Sequence, residues 1–132
     1  MRKKKCHCLK GDYMLDVRDM LEMQKKLYML HTDDWPAYSP EQGKSALLWM
    51  IEEIGEVVAI IKKSGEKSIM NDKIVRENFI KEMSDVLMFF FDVLLNFDVS
   101  DFEFNKIYCE KHNHNLIRDY CKDDANYLSN RY

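Results

Sequence analysis

Two acidic stretches decide the fold: Glu52-Glu53-Ile54-Gly55-Glu56 and Glu82-Met83-Ser84-Asp85. Residues three or four apart share a face of an α-helix, so Glu52 or Glu53 projects beside Glu56, and Glu82 beside Asp85. Both stretches are embedded in runs that read as core; the second lies between Phe79-Ile80 and Val86-Leu87-Met88-Phe89-Phe90-Phe91. Carboxylates are almost never buried alone, because an uncompensated buried charge is strongly unfavourable. The pattern therefore predicts two neighbouring helices with something positive between them. Hard oxygen ligands, with no Cys or His among them, favour Mg²⁺ or Mn²⁺, and Mg²⁺ takes substrate phosphates as further ligands. Phosphate chemistry is the expectation. The bland alternative is a pair of solvated acidic faces balanced by lysines.

Around these stretches the chain is short and helix-friendly. Its 132 residues, 46% hydrophobic with four Gly and two Pro, suit one all-α domain. A net charge of -3 is too modest to imply nucleic acid as a partner, although Arg2-Lys3-Lys4-Lys5 is a basic run. No apolar segment follows that run, so it does not read as a secretory signal. The longest apolar stretch, Val86 to Leu95, is interrupted by Asp92 and is too short to span a bilayer. A soluble, cytoplasmic protein is expected, with reduced thiols. Cys6-His7-Cys8 has its ligands too close together for the usual zinc spacing, and Cys109 and Cys121 lie far away.

Periodicity and breakers divide the chain into residues 1–12 as a basic extension, 13–122 as the domain and 123–132 as a tail without clear period. A first helix is expected from a cap at Asp12 to about His31, carrying Leu15, Met20, Leu21, Met23, Leu27, Met29 and Leu30 inward. The segment from His31 to Pro40 holds both prolines and forms a break, where Trp35 and Tyr38 either line a nucleobase pocket or, the favoured expectation, fold back onto the core. Ser39 caps the next helix, with Pro40 first inside it; the helix runs to Lys63 and stops at Ser64-Gly65. Its expected core stripe is Leu47, Met50 or Ile51, Ile54, Val57 or Val58, and Ile61. Ser45, Trp49, Glu53 and Glu56 follow at steps of three or four, which sets Trp49 at the border of the acidic patch, as a nucleobase contact or as core.

Residues 66–72 read as a turn and residues 73–96 as a third helix. Apolar side chains on nearly all its sides predict cover from more than one chain. Asp92 and Asn96 either extend a polar seam toward the acidic patch or are satisfied core polars. Phe97-Asp98-Val99-Ser100 interrupts the pattern before a fourth helix. Lys111, Asn115, Arg118 and Lys122 then recur at steps of four, three and four, the spacing of one helix face.

Taken in order, Glu52, Glu53 and Glu56, then Glu82 and Asp85 across a turn, resemble the EExxE and ExxD signature of the MazG-like, all-α nucleoside triphosphate pyrophosphohydrolases, over about residues 13 to 120. The resemblance implies a bundle of four to five helices, assembled as a dimer or a dimer of dimers. It implies Mg²⁺, with Mn²⁺ as substitute, held by Glu53, Glu56, Glu82 and Asp85, and hydrolysis of a nucleoside triphosphate to the monophosphate and pyrophosphate, a nucleotide-pool house-cleaning activity. Glu52 is the expected helper, orienting a ligand or accepting the proton of the attacking water. Trp49 would meet the substrate's base or sugar. Lys111, Asn115 and Arg118 match the Lys-x3-Asn-x2-Arg face that holds substrate phosphates in similar families.

Other readings stay open: a narrow dUTPase-like or phosphoribosyl-ATP pyrophosphatase-like enzyme, or a non-catalytic helical interaction module. A carboxylate-bridged di-iron bundle is disfavoured, since no Glu-x-x-His pair occurs.

Overall fold

The computed structural model describes residues 13–130, and every regular element among them is an α-helix. Asp12, the basic run and Cys6-His7-Cys8 lie outside the described residues. The elements are α1 (Val17–Leu30), α2 (Pro40–Asn71), α3 (Lys73–Asn96), α4 (Asp101–Ile117) and α5 (Tyr120–Ser129). They divide into two compact units, one ending at Ser100 and one starting at Asp101. No helix among the described residues is long and apolar enough to cross a membrane.

The first helix starts at Val17, later than a cap at Asp12 would set it, because Asp16 and Asp19 close a reciprocal capping box. The Asp16 carboxylate accepts from the Asp19 amide at 2.9 Å and the Asp19 carboxylate from the Asp16 amide at 3.2 Å. α2 begins as its sequence dictates, the Ser39 hydroxyl accepting from the Gln42 amide at 3.2 Å with Pro40 next in line.

Ser64-Gly65 does not end α2. Gly65 takes φ 76° and ψ 160°, a conformation open to glycine, and the chain resumes a helix through Asn71. The expected turn over residues 66–72 is thus a short helical segment between two non-helical residues, Gly65 and Asp72, with Ile69 buried in it. Asp72 caps α3, accepting from the Ile74 and Val75 amides at 2.8 and 3.1 Å.

α2 and α3 form the main packing pair and run antiparallel: Gly43 lies against Phe97 and Asn96, and Glu53 against Glu82 and Asp85. At Gly43 a Cβ would come within 2.5 Å of the Phe97 ring, so the start of α2 needs a glycine to approach the end of α3 this closely. The buried stripe of α2 is rotated from the expected one. It keeps Val57, with Met50 and Ile61 half-buried, but otherwise runs through Gly43 and Ala46 and passes Glu53, while Leu47, Ile51, Ile54 and Val58 are exposed.

α1 packs on α3. Leu21, Phe91 and Leu95 are the buried centre, with Val17, Met20, Tyr38, Phe90 and Leu94 around them. Phe91 and Leu95 are therefore covered within the chain, whereas Ile80, Met83 and Leu87 on the same helix are exposed. Of the residues expected to face inward from the first helix, Leu21 is buried and Leu15, Leu27, Met29 and Leu30 are exposed.

In the second unit neither α4 nor α5 contains a buried residue. The tail after Asp123, read as aperiodic, is mostly α5, capped by Asp119, whose carboxylate accepts from the Lys122 amide at 3.2 Å. Phe104 and Tyr108 stack obliquely, their centroids 5.9 Å apart. Cys109 and Cys121 are free and exposed thiols.

Candidate metal centre

The α2–α3 pair brings Glu53, Glu82 and Asp85 together. One carboxylate oxygen from each lies within 4.8 Å of the others, close enough for all three to reach a single cation. The geometry follows from the rotated stripe: Glu53 occupies a position on α2 that turns toward α3, and Glu82 and Asp85, one turn apart, meet it. Glu52 and Glu56 are exposed and stand outside the converging group.

Electrostatics mark the centre of the cluster. The Glu53 carboxyl is held above the usual carboxylate range, first by desolvation and then by the negative charges of Asp85, Glu82, Glu52 and Glu56. Among the described residues no Lys or Arg side chain pairs with Glu53, Glu82 or Asp85. Three hard oxygen donors, converging around a carboxyl held above its ordinary range, suit a small divalent cation. Exposed acidic groups of this kind are also common without one.

Trp49, one turn before Glu53 on α2, is 53% exposed and so is not a core tryptophan. Ser45 is spent locally, its hydroxyl donating to the Glu41 carbonyl at 3.3 Å.

Asp92 and Asn96 are satisfied core polars. Asp92 accepts from the buried Gln24 amide at 2.9 Å; Asn96 donates to the Asp92 carbonyl at 2.8 Å and accepts from the Ser39 amide at 3.1 Å. Burial holds the Asp92 carboxyl above its ordinary range, and the Gln24 bond opposes that shift. Tyr38 packs on the core and stacks on Tyr28 at 4.3 Å; burial, then Asp92 and Tyr28, push its phenol up to about 12. Trp35 stays 42% exposed, stacked on His31 at 4.6 Å, so only Tyr38 folds onto the core as expected of both. Gln24 was missed in the sequence, although its place three residues after Leu21, on the apolar side of α1, is the signal that finds it.

The basic face does not hold together as one helical stripe. α4 stops at Ile117, so Lys111 and Asn115 belong to α4, while Arg118 lies in the break and Lys122 on α5. Arg118 donates to the Asp123 carboxylate and lies over the Tyr120 ring, 5.0 Å from its centroid. Lys122 pairs with Asp119 at 3.4 Å, and the Asn115 side-chain oxygen is shielded from solvent with no hydrogen-bond partner. No family model, curated protein or solved structure matches the chain.

Proposed function

We propose that the protein is a Mg²⁺-dependent nucleoside triphosphate pyrophosphohydrolase of the MazG-like kind, cleaving a standard, deoxy or modified nucleoside triphosphate to the monophosphate and pyrophosphate. The observation that carries this reading is the convergence of Glu53, Glu82 and Asp85 from two antiparallel helices, at the ExxE and ExxD positions. Two solvated acidic faces would not require their carboxylates to meet.

Glu53, Glu82 and Asp85 would hold Mg²⁺ or Mn²⁺, with Glu56, one turn along α2, completing the set. A bound cation supplies charge stabilisation at phosphoryl oxygens and lowers the pKa of its water. The chain's own contribution is placement. Glu53 must be deprotonated to ligate, and desolvation and the like charges around it hold its carboxyl up, a shift that a bound cation would oppose. Glu52, exposed beside it, would orient a ligand or take the water's proton. Trp49 offers an open indole face to a base or sugar. Lys111, Asn115 and Arg118 would bind phosphate, Arg118 exchanging its contact with Asp123 for the substrate. The assembly would be a homo-oligomer, a dimer or a tetramer, and the protein would act on the cellular nucleotide pool.

The test is direct: purified protein with Mg²⁺ and a panel of standard, deoxy and modified nucleotides, with the released phosphate identified. Pyrophosphate is expected. Turnover of dUTP or phosphoribosyl-ATP alone would narrow the substrate to one of the related specificities. Orthophosphate would mean different chemistry, and no product across the panel would leave a helical interaction module, a reading favoured by the many apolar side chains exposed on α2, α3 and α4.

A further inference from the structure

Apolar contact holds α2 against α3 without choosing how far one helix is slid along the other. α2 carries Ala46-Leu47-Leu48-Trp49-Met50-Ile51 and α3 carries Val86-Leu87-Met88-Phe89-Phe90-Phe91, so each offers apolar side chains in every direction over more than a turn. Small-residue packing is little more selective: Gly43 lets the Phe97 ring approach, and the buried Ala46 offers a second small surface one turn along. The acidic cluster cannot choose either, because Glu53, Glu82 and Asp85 carry like charges and repel one another. Among the described residues no salt bridge joins the two helices. Arg76 reaches the Met70 sulfur at 4.0 Å, but that contact lies beyond Gly65, in the short segment after the non-helical joint.

One directional contact does choose. The Asn96 side-chain amide donates to the Asp92 carbonyl, one turn earlier on α3, at 2.8 Å. That bond turns the amide oxygen toward α2, where it accepts from the Ser39 backbone N–H at 3.1 Å. Ser39 is the cap of α2, its hydroxyl already committed to the Gln42 amide at 3.2 Å. The Ser39–Asn96 bond is part-buried, so a slide of one turn, about 5.4 Å, would strip both its donor and its acceptor of their partners. Apolar side chains lose little in the same slide. A single buried Asn that fixes register is the best-attested use of such polar groups between paired helices.

The register chosen at this end is the one the acidic cluster needs. Gly43, with Asn96 and Phe97 against it, lies ten residues before Glu53 on α2, and Asp85 lies eleven residues before Asn96 on α3. At 1.5 Å per residue these spans are about 15 and 16.5 Å, equal within a fraction of a turn. Antiparallel helices aligned at Asn96 therefore meet again at the carboxylates. A slide of one turn exceeds the 4.8 Å within which the three carboxylate oxygens converge, so it would dissolve the cluster.

We infer that Asn96 is a positioning residue for the candidate metal centre: its bond to the Ser39 N–H fixes the α2–α3 register that carries Glu53 to Glu82 and Asp85. The inference rests on the proposed function for what the cluster does, whereas the register itself is a property of the metal-free chain.

The test uses the full chain with Cys6, Cys8, Cys109 and Cys121 replaced by Ser and spin labels on Leu48→Cys and Ile74→Cys. Both positions are exposed, and they lie far apart along the pair, so a slide changes their separation. Without metal the labels should give one distance. In Asn96→Leu and Asn96→Ser a second population should appear, displaced by about 5.4 Å, one helical turn. Asn96→Ser is small and its hydroxyl can still serve the Asp92 carbonyl, so it gives the answer if Asn96→Leu does not fold. Mn²⁺ affinity, followed by the resonance of the free ion, should fall by about tenfold or more in the same variants. Ser39→Ala removes the cap hydroxyl and keeps the N–H, so its melting temperature should fall while label distance and Mn²⁺ affinity hold. A single unshifted distance in folded Asn96→Ser overturns the inference. An equal shift in Ser39→Ala overturns it as well, since any loss at this end would then suffice. Absence of Mn²⁺ binding in the chain with Asn96 intact overturns the metal reading alone, because the label distance is read without metal.

Discussion

The α2–α3 pair and the α4–α5 unit start from similar sequence signals and end differently. Each carries charged residues at helical spacing that suggest a phosphate or metal role. In the first, Glu53, Glu82 and Asp85 come from two helices and converge within 4.8 Å. In the second, the Lys111-to-Lys122 pattern was to be one stripe on one helix, and the helix ends inside it, at Ile117. A pattern shared by two packed helices is enforced by the core between them. A stripe on a single helix whose side chains are not buried depends on local propensity, and Arg118-Asp119 yields to a new cap for α5.

The contrast breaks most sharply in stability. Phe91→Ala removes a ring that is 4% exposed between α1 and α3 and should cost about 3–5 kcal/mol in denaturant unfolding. Phe102→Ala removes one that is 74% exposed on α4 and should stay within about 0.5 kcal/mol. Equal losses would show that α4 is covered in the assembled protein.

Next in size is catalysis. Glu53→Gln or Glu82→Gln should reduce Mg²⁺-dependent turnover by more than about 100-fold, beyond what losing a supporting residue costs. Circular dichroism should be unchanged, and the metal-free melting temperature should hold or rise because like-charge crowding is relieved. Full activity in both variants would remove the carboxylates from the site. Smaller still, Lys111→Ala and Arg118→Ala should each raise the KM for triphosphate by about tenfold, the scale of one hydrogen bond to a charged group, and leave Mg²⁺ affinity alone. Unaltered kinetics in both would leave that unit with no part in substrate binding.

The finest difference is the pH dependence of the metal-free protein. The folded Glu53 and Asp92 carboxyls both sit above their ordinary values of 4.5 and 3.8, so the folded state holds more protons than the unfolded one just above those values. Stability should therefore fall as pH rises through that window and recover as pH drops back. The slope of melting temperature against pH should flatten in Glu53→Gln and keep a remainder from Asp92. A wild-type slope in the variant would mean that neither burial nor the neighbouring charges raise the Glu53 carboxyl.

What could be read from the sequence follows the same division. The bounds of α3 and the cap of α2 were legible because Ser39-Pro40, Asp72 and Phe97-Asp98 act locally. The convergence of Glu53 with Glu82 and Asp85 was legible because it repeats across two apolar helices. The start of α1 was misplaced because Asp16-x-x-Asp19 forms a reciprocal box from acidic residues where Glu or Gln is the usual partner. Gly65 read as a stop because a positive-φ glycine usually ends a helix, and here the chain resumes it. The inward stripe of α2 was rotated because Leu47, Ile51 and Ile54 are more hydrophobic than Gly43 and Ala46; the small residues won the α3 side by allowing close approach. Asp92 and Asn96 could not be separated from the acidic seam without knowing that Gln24, 68 residues from Asp92, and Ser39 reach them.

The reversal between α2 and α3, confined to residues 65–72, also sets an order of events along the folding path. These two helices are consecutive in sequence, so their pairing closes a short loop, whereas the docking of α1 onto α3 must close one that includes all of α2. Loop closure alone therefore favours the hairpin ahead of the Leu21–Phe91 core, with Glu53, Glu82 and Asp85 brought together in that step. On that order, electrostatic repulsion falls on the part of the chain expected to assemble early. If the proposed cation binds there, refolding should be faster in its presence than in a chelator, and equal rates would separate the cluster from folding.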